Sequence, residues 1–213
     1  MYSLIYSEQI NVSKSFYFFS KRVFDLLVVL IVSPILFLSL SLVAAVIWAG
    51  DRKNPFFVQM RTGLHGNRFP MYKFRTMVPN ADVMKADLMH LNELNYPDFK
   101  IKDDPRITKT GRFLRRTSLD ELPQFLNVLV GNMSLVGPRP TSFKAETYAS
   151  WQRERLEVMP GITGLWQISG RSDVDFDDRV KLDIQYIQQQ SFLFDLIILL
   201  RTAGAVFQKD GAY

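Results

Sequence analysis

The sequence predicts a mostly helical α+β protein that attaches to a membrane near its N-terminus. The first observation behind this prediction is an uncharged apolar stretch from Leu26 to Gly50. The second is that helix-like segments outnumber strand-like ones without alternating with them, which argues against a parallel α/β sheet. The third is composition: 47% of the 213 residues are hydrophobic and 22% are charged, which is typical of a folded protein.

The apolar stretch is long enough to cross a bilayer. Residues 26–50 in one helix would reach about 37 Å, and a hydrocarbon core is about 30 Å thick. Ser33-Pro34 interrupts the stretch; proline removes a backbone donor and kinks a helix, and Ser33 could hydrogen-bond to a carbonyl freed in this way. Basic residues, which mark the cytoplasmic side, precede the stretch (Lys14, Lys21, Arg22) and follow it (Arg52, Lys53, Arg61, Arg68). These features leave two paths open: a kinked span, and a re-entrant helix that returns to the leaflet it entered.

Short elements follow the apolar stretch. Phe56–Met60 and Arg68–Met77 are predicted strands, and the two glycines between them, Gly63 and Gly66, indicate a hairpin. Asn80–Asn95 has the apolar spacing of an amphipathic helix. We therefore expect a small hairpin beside helices rather than an extended sheet.

The second half of the chain predicts more helices around an irregular stretch rich in proline and glycine. Ser191–Phe207 is apolar but carries Asp195 and Arg201, which favours a packed or interfacial helix over a membrane span. The other predicted helices are Pro123–Val130, Phe143–Val158 and Asp175–Gln189.

Composition limits the chemistry. The chain has no cysteine, which excludes disulfides, thiolate zinc sites and cysteine nucleophiles. Its two histidines, His65 and His90, are too few for a three-histidine metal site, so Asp, Glu and Lys are the expected acid–base groups. The net charge of +5 would attract nucleic acid, anionic lipid or phosphorylated substrates. No nucleic-acid-binding motif is present, and no such partner is expected.

The adjacent carboxylates Asp120 and Glu121 admit two interpretations. Ser118 and Glu121 match a helix capping box, which local sequence favours, although Pro123 weakens that match. The alternative is phosphoryl transfer, since an ionised aspartate can attack phosphorus and a neighbouring glutamate can serve as a base. This alternative also explains the surrounding cations, which would stabilise phosphate oxygens: Lys73, Arg75, Arg106, Lys109, Arg112, Arg115, Arg116 and Arg139.

Together, several motifs make the sequence resemble the bacterial sugar transferases, the monotopic polyprenyl-phosphate phosphoglycosyl transferases. The resemblance runs from about Lys21 to the C-terminus. It rests on KRVFDLL (21–27), Ser33-Pro34, KFRTM (73–77), DPRITKTGRFLRRTSLDELPQ (104–124), MSLVGPRP (133–140) and PGITGLWQISGR (160–171).

The resemblance implies a two-step reaction. Asp120 would attack the sugar-linked phosphate of a UDP-sugar and release UMP, and Glu121 would assist attack by polyprenyl (undecaprenyl) phosphate. The implied cofactor is Mg²⁺ near Asp120; Lys73, Arg75 and Arg112 would contact phosphate, and Arg139 the nucleotide. The form GLWQISGR, with the tail from Asp195 to Tyr213, most resembles family members that transfer a hexose 1-phosphate, glucose or galactose. The resemblance as a whole implies the first membrane step of exopolysaccharide or glycoconjugate synthesis.

The resemblance also selects the re-entrant path, with the helix broken at Ser33-Pro34. Residues 1–50 would then be an N-terminal segment and membrane helix in the inner leaflet of the bacterial cytoplasmic membrane. Residues 51–213 would form a catalytic domain on the cytoplasmic face. A homodimer is left open.

Two other functions compete. Asp173-Val-Asp175 is a D-x-D pattern of the kind that holds a metal–nucleotide complex in glycosyltransferases that release UDP, although an acidic helix start explains it more simply. A non-catalytic scaffold that binds anionic lipid through its arginines is the other.

Overall fold

The computed structural model describes residues 2–93, 99, 101–169 and 175–207, with only the backbone at residues 2–14, 206 and 207. Within these residues the predicted mostly helical α+β class is confirmed. The helices are α1 (Tyr2–Asp51), α2 (Ala81–Met84), α3 (Lys109–Arg116), α4 (Gln124–Leu129), α5 (Leu165–Ser169), α6 (Phe176–Gln189) and α7 (Phe192–Phe207). The strands are β1 (Phe56–Thr62), β2 (Arg68–Phe74), β3 (Ser134–Val136) and β4 (Gly161–Thr163). Asp173, the motif residues Gly170 and Arg171, and the end of the predicted helix at Asn95 lie outside the described residues.

The apolar stretch is part of one 50-residue helix, α1, that continues through Ser33 and Pro34. The sequence predicts a break at this pair, and the structure instead keeps the segment helical. Pro34 has no N–H for the carbonyl of Leu30, and the Ser33 hydroxyl donates to that oxygen at 2.8 Å. The role expected of Ser33 is therefore observed, while the re-entrant path stays a prediction.

Helix α1 packs against the rest of the molecule at two separate places. Val29 is buried in the main core, which is formed by residues of β2, α4, β3, α6 and α7. Ile47 is buried in a second cluster with Phe74 and Leu114. The two contact points are about 27 Å apart along a straight helix. Of the described helices, only Ser15–Asp51 is long and apolar enough to cross a membrane, and large side chains such as Ile35, with 74% of its surface exposed, project from it.

The predicted hairpin is confirmed. β1 and β2 pair in antiparallel register with Phe57 opposite Lys73, and a short 3₁₀ turn joins them. Gly66 has a φ of +80°, which glycine adopts without strain. Asn127 of α4 fixes the hairpin from the other side: its Oδ1 accepts from Tyr72 N at 3.0 Å and its Nδ2 donates to the Pro70 carbonyl at 2.7 Å.

A second sheet, which the sequence did not predict, joins two distant segments. β3 and β4 are parallel three-residue strands, with Ser134 opposite Gly161 and Val136 opposite Thr163. Their close approach requires glycine, since a Cβ on Gly161 would lie 2.1 Å from the backbone nitrogen of Gly137. This sheet holds the start of the GPRP segment.

Two predicted helices are wrong in extent. The described part of Asn80–Asn95, residues 80–93, contains only the single turn of α2 and a 3₁₀ turn at Met89–Leu91, and most of the residues in these two turns are exposed. A short helix without a packing surface is not stable. Phe143–Val158 forms 3₁₀ turns at Ala145–Thr147 and Trp151–Leu156, separated by extended backbone at Tyr148. The predicted helices that became α4, α6 and α7 are confirmed.

Candidate active site

The two adjacent carboxylates lie on a single 3₁₀ turn, Leu119–Glu121, between α3 and α4. Ser118, which precedes the turn, is in the left-handed region with a φ of 56° and makes no side-chain capping hydrogen bond. The Glu121 carboxylate points instead to cations from other parts of the chain. The capping box that local sequence favours is therefore absent from this turn.

Three distant segments meet at Glu121. Lys73 at the end of β2 donates from Nζ to Oε1 at 2.9 Å. Arg139, which lies between two prolines after β3, donates from Nη1 to Oε2 at 3.1 Å and from Nη2 to Oε1. Arg139 Nη1 also approaches the carbonyl of Ile162 in β4 at 3.4 Å. The structure thus brings together four of the residues named from the sequence, Lys73, Asp120, Glu121 and Arg139, and their roles in binding and catalysis stay predictions.

Asp120 is buried, with 9% of its surface exposed. Burial raises the pKa of its carboxyl; Lys73 lowers it, Glu121 adds to the rise, and Arg115 and Arg139 oppose it. In the described part of the chain, no side chain forms an ion pair or hydrogen bond with this carboxylate. Asp120 therefore lies in a cationic field with its oxygens uncommitted.

Glu121 is in the opposite electrostatic situation. Burial alone would raise the pKa of its carboxyl, but the charges and hydrogen bonds of Arg139 and Lys73 outweigh burial and place the pKa well below its usual range. Burial lowers the pKa of Lys73, and the Glu121 carboxylate opposes that change. Glu121 is consequently held ionised between two cations.

Two further arginines belong to this electrostatic environment. Arg115 is one of the cations that the sequence predicts around the phosphate, whereas Arg61 was not predicted to contact the phosphate or the nucleotide. Arg115 interacts electrostatically with Asp120 and donates from Nε to Thr76 Oγ1 at 2.9 Å. Arg61 lies on the same face of the hairpin as Lys73; burial first, and then the nearby Arg139, lower its pKa to about 10. The predicted hairpin could have identified Arg61, because alternate residues of a strand, and residues opposite each other in antiparallel strands, share a face.

Two residues that were predicted to contact phosphate, Arg75 and Arg112, do not contact the carboxylate pair. Arg75 forms a bidentate ion pair with Asp51, at 2.6 and 2.7 Å, and donates from Nε to the Asn54 carbonyl at 2.7 Å. It therefore fixes the end of α1 to the hairpin. Arg112 is exposed on α3, and neither arginine contacts the carboxylate pair. Their contact with phosphate stays a prediction.

The carboxylates of this site suit a metal ion that is held mainly by phosphate oxygens of the substrate. Among the described residues, no cluster of three or more Asp, Glu or His side chains could enclose a metal ion. Mg²⁺ is commonly bound through one or two carboxylates together with substrate phosphates. With Glu121 taken by Lys73 and Arg139, Asp120 is the carboxylate that fits such a site.

Similarity to known proteins identifies the family of this chain. The profile of the family described as bacterial sugar transferase matches residues 16–209. The chain belongs to the bacterial sugar transferase family. Relatives in this family include an undecaprenyl-phosphate galactose phosphotransferase of Salmonella typhimurium, which is 43% identical over 96% of this chain and 44% of its own length. Another is a UDP-glucose:undecaprenyl-phosphate glucose-1-phosphate transferase of Escherichia coli, 38% identical over 88% of this chain and 39% of its own length.

Bacterial sugar transferases differ in length. This chain spans less than half of the two relatives above. It matches 88% of the exopolysaccharide production protein ExoY of Sinorhizobium fredii, at 41% identity over 91% of this chain. The residues described above all lie within the segment that the family profile matches.

Proposed function

We propose that this chain transfers a hexose 1-phosphate from a UDP-sugar to polyprenyl phosphate through a covalent intermediate on Asp120, with release of UMP. The observation that carries the proposal is the contrast between the two carboxylates. Asp120 is buried and uncommitted among cations, whereas Glu121 is bound by Lys73 and Arg139. A nucleophile must keep a lone pair available, and Asp120 meets that condition. The names of the relatives above support the hexose and the lipid phosphate.

In the first step, a carboxylate oxygen of Asp120 forms a bond to the sugar-linked phosphorus. The bond from that phosphorus to the bridging oxygen breaks, and UMP leaves with the electron pair. Lys73, Arg139 and Arg115 act on the charge of Asp120, and Arg61 interacts with Arg139 and Glu121. We expect these four cations to stabilise the charge that develops on the phosphate oxygens. Bound Mg²⁺, held by Asp120 and the diphosphate, would supply further charge neutralisation.

In the second step, an oxygen of polyprenyl phosphate attacks the same phosphorus, and the bond to Asp120 breaks. The aspartate carboxylate is regenerated and the product is a polyprenyl-diphosphate sugar. A phosphate monoester with a second pKa near 6 is largely dianionic at neutral pH, so this attack does not require a strong base.

Glu121 is better suited to positioning than to proton transfer. A carboxylate with a strongly lowered pKa is a weak base, and efficient general bases have a pKa near the working pH. By binding both Lys73 and Arg139, Glu121 holds them beside Asp120. We propose this positioning role as an alternative to the base function that the resemblance implies.

The packing of α1 supports membrane attachment from one face. Val29 and Ile47 both pack on the same folded body, although residues between them expose large apolar side chains. A straight span would carry one of these contact points away from the body, across a core about 30 Å thick. We infer that both ends of the apolar segment lie on the cytoplasmic face of the inner membrane, near the phosphate of the lipid acceptor.

The decisive experiment supplies radiolabelled UDP-glucose or UDP-galactose with Mg²⁺ and undecaprenyl phosphate. We expect lipid-linked label and UMP from the wild type, and neither from Asp120→Asn. Asp87→Asn, which changes an exposed aspartate, is the matched control and should retain activity. Release of UDP would instead indicate simple glycosyl transfer, and lipid binding without turnover would indicate a scaffold.

A further inference from the structure

A buried ion pair lies behind the arginine that binds Glu121. Arg155 is in the 3₁₀ turn Trp151–Leu156 and Asp183 is in α6, and their side chains are 4% and 1% exposed. The distance from Arg155 Nη2 to Asp183 Oδ2 is 2.6 Å. The aromatic ring of Phe176 lies against the guanidinium, 5.8 Å from its carbon. The pair is therefore fully enclosed by protein.

Stability alone does not explain this pair. Removing two charges from water costs several kcal/mol per ion, and hydrophobic residues of similar volume are often as stable or more stable in the same place. Neither carboxylate oxygen of Asp183 has a hydrogen-bond partner among the described residues, so its contact with Arg155 is an ion pair. Burial, only partly opposed by Arg155, raises the pKa of Asp183 to about 6, which reflects the same cost.

The pair also contacts the candidate active site through the backbone. Arg155 Nη2, the nitrogen that meets Asp183, donates to the carbonyl oxygen of Arg139 at 2.8 Å. Arg139 in turn binds Glu121 through both terminal nitrogens of its guanidinium. A continuous chain of contacts thus runs from α6 through Arg155 to the carboxylate beside the proposed nucleophile.

The hydrogen bond to the Arg139 carbonyl helps to hold the backbone around Arg139 in place. Pro138 and Pro140 flank it, and proline lacks an N–H and has a fixed φ, so the segment has few backbone donors of its own. The carbonyl of Pro138 is held by Gly161 N at 3.0 Å, and that of Arg139 by Arg155. Together these two contacts set the direction in which the Arg139 side chain leaves the backbone.

We propose that Arg155 and Asp183 are positioning residues that act through the Arg139 carbonyl to direct the Arg139 guanidinium at Glu121 and the transferring phosphate. Asp183 fixes the guanidinium of Arg155, and Arg155 fixes the Arg139 peptide. Neither residue touches substrate. The inference rests on the proposed function, because it assigns these residues to the same transfer reaction.

The test is a double variant, Arg155→Met with Asp183→Leu, which removes both charges and keeps the volume apolar. If the pair is only structural, this variant should fold and retain activity, since a matched apolar pair commonly replaces a buried ion pair without loss of stability. We expect it to keep a melting temperature within about 3 °C of the wild type or higher. We also expect kcat for lipid-linked product to fall at least tenfold, because Arg139 loses its support.

A second variant covers the case in which the double variant fails to fold. Arg155→Lys keeps a positive charge beside Asp183 but lacks the planar fork of arginine donors. It should fold and show a similar loss of kcat. The matched control is the exposed ion pair on the same helix, Lys181 with Asp178, replaced by Gln and Asn, which should leave kcat unchanged.

The outcomes separate this inference from the proposed function. If the wild type releases UDP or forms no lipid product, the proposed function fails, whatever the variants do. If the wild type makes the expected product and a folded Arg155→Met/Asp183→Leu or Arg155→Lys variant stays within twofold of its kcat, the positioning role is overturned.

Discussion

The Arg139 guanidinium and the Glu121 carboxylate form a two-point ion pair across the candidate active site, with Nη1 of the arginine 3.1 Å from Oε2. Lys73 completes the cluster from the hairpin at 2.9 Å. Glu121 therefore pairs with both cations and leaves its neighbour Asp120 uncommitted. The division of roles between adjacent carboxylates follows from these contacts.

Replacing Glu121 by glutamine should slow the reaction without removing a base. The amide would keep the size of the side chain but remove the charge that holds Lys73 and Arg139, so we expect kcat to fall between about tenfold and a thousandfold. The Glu121→Gln variant and the wild type should both keep the acidic limb that Asp120 imposes, because the Glu121 carboxyl stays ionised well below neutral pH. The limb of the variant should lie at lower pH, since the Glu121 charge raises the pKa of Asp120. Loss of an acidic limb in the variant would contradict the positioning role and restore the base role.

The nucleophile should impose its own acidic limb. Burial raises the pKa of Asp120, and only the ionised carboxylate attacks phosphorus, so activity should be present above that pKa and lost as the pH falls through it. UMP release without lipid acceptor isolates the first step. We expect its midpoint to lie above the ordinary aspartate value of about 4.

Replacing Lys73 tests whether the ionisation of Asp120 sets the midpoint of the acidic limb. Lys73 lowers the pKa of Asp120, so Lys73→Met should move the midpoint to higher pH as well as slow the step. Lys181→Met, on the exposed surface of α6, is the control and should leave the midpoint in place. An unchanged midpoint in Lys73→Met would count against Asp120 as the titrating group.

Much of the fold follows from local sequence, and the failures have a common physical cause. Two strand-like segments with glycines between them predict the hairpin, apolar spacing predicts α6, and apolar content predicts α7. The second sheet was missed because Ser134 and Gly161 meet across a long separation in sequence, in strands too short to carry an alternating pattern. The Asn80–Asn95 pattern was misleading because local periodicity does not reveal whether a packing surface is present.

In the candidate active site, too, local sequence patterns do not reveal contacts between distant residues. The capping box at Ser118 and Glu121 is a valid local pattern, but Lys73 and Arg139 compete for the same carboxylate. Two charged contacts outweigh one capping hydrogen bond. The carboxylate pair could be predicted from sequence, whereas the separate roles of its two members depend on residues brought together by the fold.

The membrane path can be tested by single-cysteine labelling, because the chain contains no cysteine of its own. Ser15→Cys and Lys53→Cys place one thiol near each end of the apolar segment. With both ends on the cytoplasmic face, an impermeant maleimide should label both in inside-out vesicles and neither in intact spheroplasts. Detergent-solubilised samples control for reactivity. Labelling of the two positions from opposite sides would establish a span and refute the re-entrant path.

The close contact between β3 and β4 makes a specific prediction about stability. A Cβ on Gly161 would lie 2.1 Å from Gly137 N and 2.4 Å from Thr163 O, and backbone atoms cannot move aside without opening the sheet. Overpacking of this kind costs about 1–3 kcal/mol, so Gly161→Ala should lower the melting temperature. Because β3 leads into the segment that contains Arg139, the Gly161→Ala variant should also lose more activity than its loss of stability explains.

Gly204→Ala is the matched control: nothing lies within 4 Å of its Cβ, and alanine in a helix is favoured by up to about 1 kcal/mol. The melting temperature should therefore fall for Gly161→Ala and rise for Gly204→Ala. Equal melting temperatures of the two variants would contradict the tight packing of β3 against β4.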